Sequence, residues 1–170
     1  QRQMCIRDRY AFSPELLGRF AAAYREGDPR AVRAAERVIA ASGELLEMEP
    51  MTVTSKKQLP PSGDRRDYMS LSPYWWPDRS KPDGLPYVRR DGERNPEVYD
   101  FPERENGDRL GYAARTLAVL YHVTGDERYA AKCAELLRTW FLDPEQGMNP
   151  NMTYAQLIRG RTTIRGTGII

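Results

Sequence analysis

The sequence predicts an all-α protein built from helix pairs that are joined by long irregular loops. Three observations support this fold class. Apolar residues recur at helical spacing in the stretches 13–50 and 108–143, capping residues bound both stretches, and the remaining stretches have no helical period. This pattern is typical of a helical bundle, a solenoid or an α/α toroid.

Two helices are predicted before residue 51. The first begins at Ser13, whose hydroxyl can cap a helix that has Pro14 at its first position. Gly27 suits the left-handed end of this helix. Asp28 then caps a second helix, which we expect to continue to Pro50.

The stretch 51–107 is rich in turn residues, and only 51–57 is compatible with a short strand. An irregular stretch of this length usually has a function. Asp108 is expected to cap a third helix, and Gly125 and Asp126 form a tight turn into a fourth. We expect these two helices to pack as an antiparallel hairpin.

Composition narrows the classes of function. The 170 residues suffice for one domain with a core, and the net charge of +2 argues against a general nucleic-acid binder. No apolar run is long enough to span a membrane. Cys5 and Cys133 do not indicate a disulfide framework. The cationic segments 52–66 and 151–170 suggest an anionic ligand, although a solvated surface would have the same pattern.

The two ends of the chain differ from the rest of the sequence. Residues 1–9 are polar and aperiodic, and they resemble a translated sequencing-adapter peptide, so we set them aside as an assembly artefact. Residues 10–170 then form the domain. We expect it to be the N-terminal part of a longer protein, truncated at its C-terminus.

Candidate binding residues fall in two stretches. In the first, Gly63 is a possible hinge of a mobile lid that carries Arg65, Arg66 and Tyr68. Trp75 and Trp76 follow, and aromatic faces of this kind stack on sugars. Neighbouring side chains of an extended segment point in opposite directions, so we expect one tryptophan to face inward and the other a groove.

The second stretch combines amide side chains with guanidinium groups, which together suit a sugar that bears a carboxylate. Its candidates are the amides of Asn149, Asn151 and Gln156 and the guanidinium groups of Arg159, Arg161 and Arg165. An irregular surface loop remains the alternative interpretation. The sequence contains no paired-cysteine metal motif, P-loop or Rossmann glycine pattern, so we expect no cofactor and no metal. His122 lies near a predicted helix end and is interpreted as a residue that complements the helix dipole.

These stretches resemble a known family. The segments PSGDRRDYMSLSPYWWPDRSKPDGLPYVRRDGERNPE, LLRTWFLDPEQGMNPNMTYAQLIRGR and RGTGII are similar to the alginate lyase superfamily domain, an α/α-toroid polysaccharide lyase family that includes glucuronan lyases. The resemblance covers roughly residues 30–170. It implies an incomplete toroid from a bacterial, periplasmic or secreted lyase that cleaves uronic-acid polymers by β-elimination.

The resemblance also assigns roles. It implies an anionic polysaccharide as the partner, with no nucleic acid or membrane, and it leaves the oligomeric state open. Catalysis in this family uses an Asn-His pair, an Arg and a Tyr, which are expected downstream of Ile170. The substrate-binding residues that carry over are Arg65, Arg66, Tyr68, Trp75, Trp76, Asn151, Tyr154, Gln156, Arg161 and Arg165.

The sequence departs from the family at two points. Relatives often have Lys-His where this chain has Arg65-Arg66, and they commonly have glycine at the position of Ile164. Two alternatives stay open. One is a non-catalytic carbohydrate-binding domain on the same scaffold. The other is a toroid glycoside hydrolase, which would need two carboxylates across a groove.

Overall fold

The structure is a computed structural model that describes residues 13–161, and this part of the chain is rich in helix. Its α-helices are α1 (Pro14–Arg25), α2 (Pro29–Ala41), α3 (Gly43–Leu46), α4 (Glu103–Thr124) and α5 (Glu127–Phe141). The chain divides into two compact units, Gln1–Glu49 with Ala113–Ala134 and Pro50–Tyr112 with Glu135–Ile170. Among the described helices, none has the length and apolar character that a membrane span requires.

The helix starts of the first unit are those that the sequence predicts. The Ser13 hydroxyl accepts a hydrogen bond from the Leu16 amide, and the Asp28 carboxylate accepts from the amides of Arg30 and Ala31. Gly27 has a left-handed backbone, with φ of +80°. Because caps are set by neighbouring residues, they can be predicted from short motifs.

The second predicted helix is shorter than expected. It ends at Ala41, and a separate short helix, α3, follows. Ser42 lies between the two helices and donates its amide to the Ile39 carbonyl at 3.1 Å. Gly43, a weak helix former, begins α3. The sequence prediction of one continuous helix to Pro50 was therefore wrong.

A small apolar core stabilises the first unit. The buried residues Ala21, Ala35 and Val123 form its centre, and partly buried residues of α1 pack around them. The Arg25 guanidinium donates to the carbonyl of His122, and the Cys133 thiol donates to the carbonyl of Ala114 at 3.5 Å. The second of these bonds joins α5 to α4, as in the expected helical hairpin.

Helix α4 begins at Glu103, so Asp108, the predicted cap, lies within the helix. Phe101 and Glu103 are both buried, so the first turn of α4 belongs to the core of the second unit. Pro102, which precedes the helix, accepts the Asn106 amide at 2.8 Å. The turn into α5 follows the prediction: Gly125 has a φ of +74°, and the Asp126 carboxylate accepts the Arg128 amide.

The second unit contains short strands that the all-α prediction did not include. They are β1 (Met69–Leu71), β2 (Trp75–Trp76), β3 (Val88–Arg89) and β4 (Tyr154–Leu157). Strand β1 pairs with β4 in parallel, and β2 pairs with β3 antiparallel. The strand expected within 51–57 was wrong, because Val53–Ser55 is a 3₁₀ turn.

Candidate functional site

Two stretches that are far apart in sequence lie side by side in the second unit. We call residues 61–76 and 147–161 the paired segments. In the β1–β4 ladder Met69 lies opposite Tyr154 and Leu71 opposite Leu157. Outside the ladder, the Asn149 amide donates to the Arg66 carbonyl at 3.0 Å. The structure thus brings together the two stretches that the sequence analysis singled out separately.

A β-bulge interrupts this ladder. Between the two paired positions β1 advances by two residues and β4 by three, and Gln156 in the bulge has a φ of +55°. Its amide donates to the Ser70 hydroxyl at 3.0 Å, and its carbonyl accepts from the Ser72 hydroxyl at 2.6 Å. A left-handed backbone is costly for a residue other than glycine and is concentrated at functional sites. The two buried serines hold Gln156 in this conformation.

Asp67 is the polar centre of the paired segments. Its carboxylate accepts hydrogen bonds from the Ser62 hydroxyl at 2.7 Å and from the side-chain amides of Asn149 and Asn151 at 2.8 and 3.0 Å. Burial alone would raise the pKa of Asp67, but these donors outweigh it and lower the pKa. The buried carboxylate is therefore charged at neutral pH and fixes the amide of Asn151.

The two arginines of the predicted lid bind backbone carbonyls. Arg65 donates to the carbonyls of Thr54 and Lys56 at 3.2 and 2.7 Å, and Arg66 donates through Nε to the Gly147 carbonyl at 2.8 Å. These bonds tie the predicted lid to its neighbours. Its hinge has the expected left-handed backbone, since Gly63 has a φ of +78°. Mobility of the lid stays a prediction.

A buried ion pair supports the first paired segment. Lys56 and Glu103 are almost completely buried, and Lys56 Nζ lies 2.9 Å from Glu103 Oε1. Lys56 also donates to the carbonyl of Asp67. Because this charge is buried and compensated, Lys56 does not contribute to a cationic surface. The sequence interpretation of residues 52–66 was wrong on this point.

Tyr68 is buried, whereas a residue of an open lid would be exposed. Burial raises the pKa of the Tyr68 phenol; the nearby Ser70 hydroxyl opposes this effect, and the Glu103 carboxylate adds to it. The phenol is therefore protonated at neutral pH and can donate a hydrogen bond. In this state it cannot serve as a base.

The tryptophan pair lies on β2, and both side chains are partly exposed. Which of the two side chains faces inward stays a prediction. The indole of Trp76 donates to the Glu93 carbonyl at 2.8 Å, which anchors it. Trp75 is covered by Arg161, whose Cζ lies 4.5 Å from the ring centroid. The Arg161 guanidinium makes no hydrogen bond with residues 13–161, so its donors are available to a ligand.

A family model described as alginate lyase matches residues 52–170. The chain belongs to the alginate lyase family. The resemblance drawn from the sequence is thereby confirmed. The matched region contains both paired segments and all ten residues that the sequence analysis assigned to substrate binding.

A solved structure agrees with this membership of the alginate lyase family. The crystal structure of an alginate lyase from Bacteroides ovatus at 1.60 Å resolution is 40% identical in sequence, with a TM-score of 0.78. The match covers 89% of this chain and 39% of that one, so the chain spans about two fifths of its structural relative. No curated protein matches the chain.

The remaining predicted residues of this alginate lyase family member vary in environment. Tyr154 is partly buried and packs against the apolar cluster of Met69, Leu71 and Phe101, so its ring supports the core. Asn151 accepts the Thr153 amide as well as donating to Asp67. Arg165 lies outside the described residues. Among residues 13–161 there is no group of His, Cys, Asp or Glu side chains that could hold a metal.

Sequence reasoning missed three residues that organise this site. Asp67 and Glu103 were not among the predicted site residues, and Lys56 was interpreted as a surface charge. Several of their partners are distant in sequence: Asp67 is 11 residues from Lys56, and Asn151 is 84 residues from Asp67. A helix start at Glu103, directly after a proline, was the one signal that could have drawn attention to this carboxylate.

Proposed function

We propose that this chain is the N-terminal part of a polysaccharide lyase that cleaves uronic-acid polymers, alginate or glucuronan, by β-elimination. The observation that carries the proposal is the Arg161–Trp75 pair in a member of the alginate lyase family. An aromatic face with a guanidinium stacked on it offers apolar contact to a pyranose ring and a charged fork to its carboxylate.

The reaction explains why this pair is useful. A base removes the C5 proton of the uronate, a double bond forms between C4 and C5, and the glycosidic bond at C4 breaks with protonation of the leaving oxygen. Removal of the C5 proton becomes easier when the carboxylate charge is neutralised. Arg161 is the candidate for that role, because Arg65 and Arg66 already bind backbone carbonyls.

Other residues of the paired segments would orient the sugar. Gln156 is held by two serines in a left-handed conformation, and Asn151 is fixed by Asp67. Such rigid placement lowers the cost of binding a flexible polymer. The protonated phenol of Tyr68 would act only as a hydrogen-bond donor. The base and acid of the reaction are proposed to lie downstream of Ile170.

The proposal also includes the fold of the longer protein and its location in the cell. Helix pairs with long loops fit an incomplete α/α toroid, and the 39% coverage of the structural relative supports a longer protein, the complete product of the gene that encodes this chain. A polyuronate lyase meets its polymer outside the cytoplasm, so we propose that this longer protein is a periplasmic or secreted enzyme.

The experiment incubates the longer protein with alginate, glucuronan and hyaluronan and follows the ultraviolet absorbance of the unsaturated uronate. We expect product from alginate or glucuronan. Arg161→Gln should lower kcat/KM about a hundredfold, since it removes a charged contact to the reacting carboxylate. Arg79→Gln, which alters an exposed arginine of the same unit, is the matched control and should behave as wild type.

Two outcomes would count against the proposal. If the longer protein gives no unsaturated product from any of the three polymers, it is not a polyuronate lyase. Retained binding of the polymers in that case would favour the alternative, a carbohydrate-binding domain on the same scaffold. An Arg161→Gln enzyme of normal activity would instead remove Arg161 from the mechanism. The downstream gene sequence adds a further check, because the enzyme requires an Asn-His pair there.

A further inference from the structure

We infer that a cavity beside β1 is a second subsite for a sugar acid, which uses Arg94, Tyr99 and Arg104 to bind a neighbouring uronate of the polymer. The cavity has a volume of about 340 Å³ and lies entirely within the second unit. This volume is near the lower end of the range for ligand pockets, about 300–1,000 Å³. The inference rests on the proposed function, since it names a further part of the same binding site.

One of the arginines that line this cavity has a guanidinium group that is available to a ligand. Arg104, in the first turn of α4, is exposed and forms no hydrogen bond or ion pair within residues 13–161. Arg94 lies across the ring of Tyr99, with Cζ 5.3 Å from the centroid. Arg104 can therefore bind a carboxylate through two parallel N–H donors, whereas Arg94 also orients the aromatic ring.

Tyr99 gives the cavity an apolar surface. Its side chain is 68% exposed, which is unusual for a large aromatic residue that contributes nothing to the core. An exposed tyrosine can stack on the apolar face of a pyranose and still hydrogen bond through its hydroxyl. One ring face is covered by Arg94, so the other face is the one available to a sugar.

The acids of the cavity indicate which class of anion it suits. Glu105 and Asp108 line it together with the two arginines, so cations and anions balance. A compact, multiply charged anion such as phosphate would be repelled by two carboxylates. A uronate carries one negative charge and several hydroxyl groups, and carboxylates accept hydrogen bonds from hydroxyls. The mixed lining therefore favours a sugar acid over a simple anion.

The cavity lies next to the paired segments, because one residue belongs to both. Ser70 lines the cavity, and its hydroxyl also accepts the amide of Gln156. Arg104 and Asp108 are close enough to Tyr68 to affect the pKa of its phenol. Because one serine belongs to both regions, a polymer that contacts Gln156 would place a nearby sugar unit in the cavity. A row of subsites would bind a chain more tightly than one subsite could.

The test uses the longer protein, first with the polymer that it cleaves and then with sodium D-glucuronate, which has no glycosidic bond to break. Arg104→Gln should raise KM for the polymer about tenfold and leave kcat within about twofold of wild type. It should weaken glucuronate binding, measured by saturation-transfer NMR, by a similar factor. Tyr99→Ala should act in the same direction.

The controls come from the same helix. Arg109→Gln and Tyr112→Ala alter exposed residues of α4 that do not line the cavity, and both should match the wild type. D-glucose should bind less tightly than glucuronate to the wild type. Melting temperatures of all variants should agree, since every substituted side chain is exposed.

The results separate this inference from the proposed function. If no polymer is cleaved but Arg104→Gln still weakens glucuronate binding, the lyase proposal fails and the subsite stands. If polymer is cleaved while Arg104→Gln leaves KM and glucuronate binding within about twofold of wild type, the subsite is overturned and the lyase stands. Inorganic phosphate that competes with glucuronate on equal terms would also overturn a sugar-acid subsite.

Discussion

At the scale of single residues, Asp67 determines the shape of the candidate site. One buried carboxylate receives three side-chain hydrogen bonds, two of them from asparagines more than eighty positions further along the chain. Asp67→Ala should lower the free energy of unfolding by about 3 kcal/mol, because it removes three hydrogen bonds to a charged acceptor. Urea denaturation of the longer protein measures this change. Asp91→Ala, at an exposed ion pair with Arg89, should have almost no effect.

The lowered pKa of Asp67 also predicts how stability depends on pH. The charged carboxylate contributes its full stability above the ordinary aspartate pKa, and the contribution disappears as pH falls through the lower pKa of the folded state. Wild-type stability should therefore drop below about pH 4, and the drop should be shallower in Asp67→Ala. Equal slopes for both proteins would show that Asp67 is not protected in the folded state.

The environment of Tyr87 predicts a loss of stability at alkaline pH, whereas Asp67 predicts one at acidic pH. Its buried hydroxyl donates to both carboxylate oxygens of Glu97, at 2.9 and 2.8 Å. Burial, followed by the hydrogen bond and charge of Glu97, raises the pKa of Tyr87 to about 12. The stability that this phenol contributes is complete below about pH 10, the ordinary tyrosine pKa, and is lost as pH rises toward 12.

An ultraviolet titration of the phenols tests this value. The difference between wild type and Tyr87→Phe should consist of one group that ionises near pH 12. Tyr121→Phe is the control: Tyr121 is 39% exposed, and its replacement should leave the component near pH 12 in place. A Tyr87 component that titrates near pH 10 would contradict the buried Tyr87–Glu97 bond.

At the scale of elements, Gly160 allows the second paired segment to approach the main chain at Pro86 closely. It has a φ of +75°, and a Cβ there would lie 2.7 Å from Pro86 Cα. The adjacent Arg159 carbonyl accepts the Tyr87 amide at 3.0 Å. Gly160→Ala should therefore cost at least about 3 kcal/mol, since it combines a left-handed backbone with a collision against main chain.

Gly92→Ala measures the cost of the left-handed backbone without the collision against main chain. Gly92 also has a left-handed backbone, with φ of +83°, but no atom lies within 4 Å of its virtual Cβ. Its substitution should cost only about 1 kcal/mol. Both values can be obtained from thermal unfolding of the longer protein. Similar losses at the two positions would mean that the Gly160–Pro86 contact relaxes easily.

Helix caps and helix faces were predictable because their determinants lie within a few residues. Ser13, Asp28, Gly27 and Gly125 each behave as the sequence predicts. The β1–β4 pair was not predictable, because a parallel ladder between residues 69 and 154 has no local signal. The early start of α4 was missed for a similar reason: the ion pair that buries Glu103 is made with Lys56, far away in sequence.

The candidate site likewise has features that the sequence predicts and features that it does not. Its residue types were predictable from aromatic and guanidinium content and from the family resemblance. Which of the arginines is available to a ligand was not, because that depends on backbone carbonyls contributed by other segments. Arg66 binds the carbonyl of Gly147, whereas Arg161 stacks on Trp75 and makes no hydrogen bond within the described part of the chain.

At the scale of the whole molecule, the end of α5 exposes apolar side chains. Phe141 is 48% exposed and Leu142, directly after the helix, is 74% exposed. A contiguous exposed apolar surface usually contacts something else. We expect residues 1–170 expressed alone to be poorly soluble and to bind a hydrophobic dye. The longer protein that we propose should cover this surface and bind less dye. Phe141→Gln with Leu142→Gln should reduce the dye signal.

Thermal unfolding of residues 1–170 completes this test. If the chain alone melts in one sharp transition and binds no dye, the exposed apolar end needs no cover, and the proposal of a longer toroid loses support. The charge-neutral pair Gln146→Ser with Gln58→Ser, at two exposed polar positions, is the control and should leave the dye signal unchanged.

The paired segments also bear on how this family can be re-engineered. Asp67 contacts donors from both segments, and the Gln156 bulge is held by serines of the opposite strand. Neither segment can be exchanged alone without leaving buried polar groups unmatched. A chimera that inherits both from one donor enzyme should fold and transfer specificity, whereas one that inherits a single segment should be defective. The two paired segments therefore have to be exchanged together, although they are far apart in sequence.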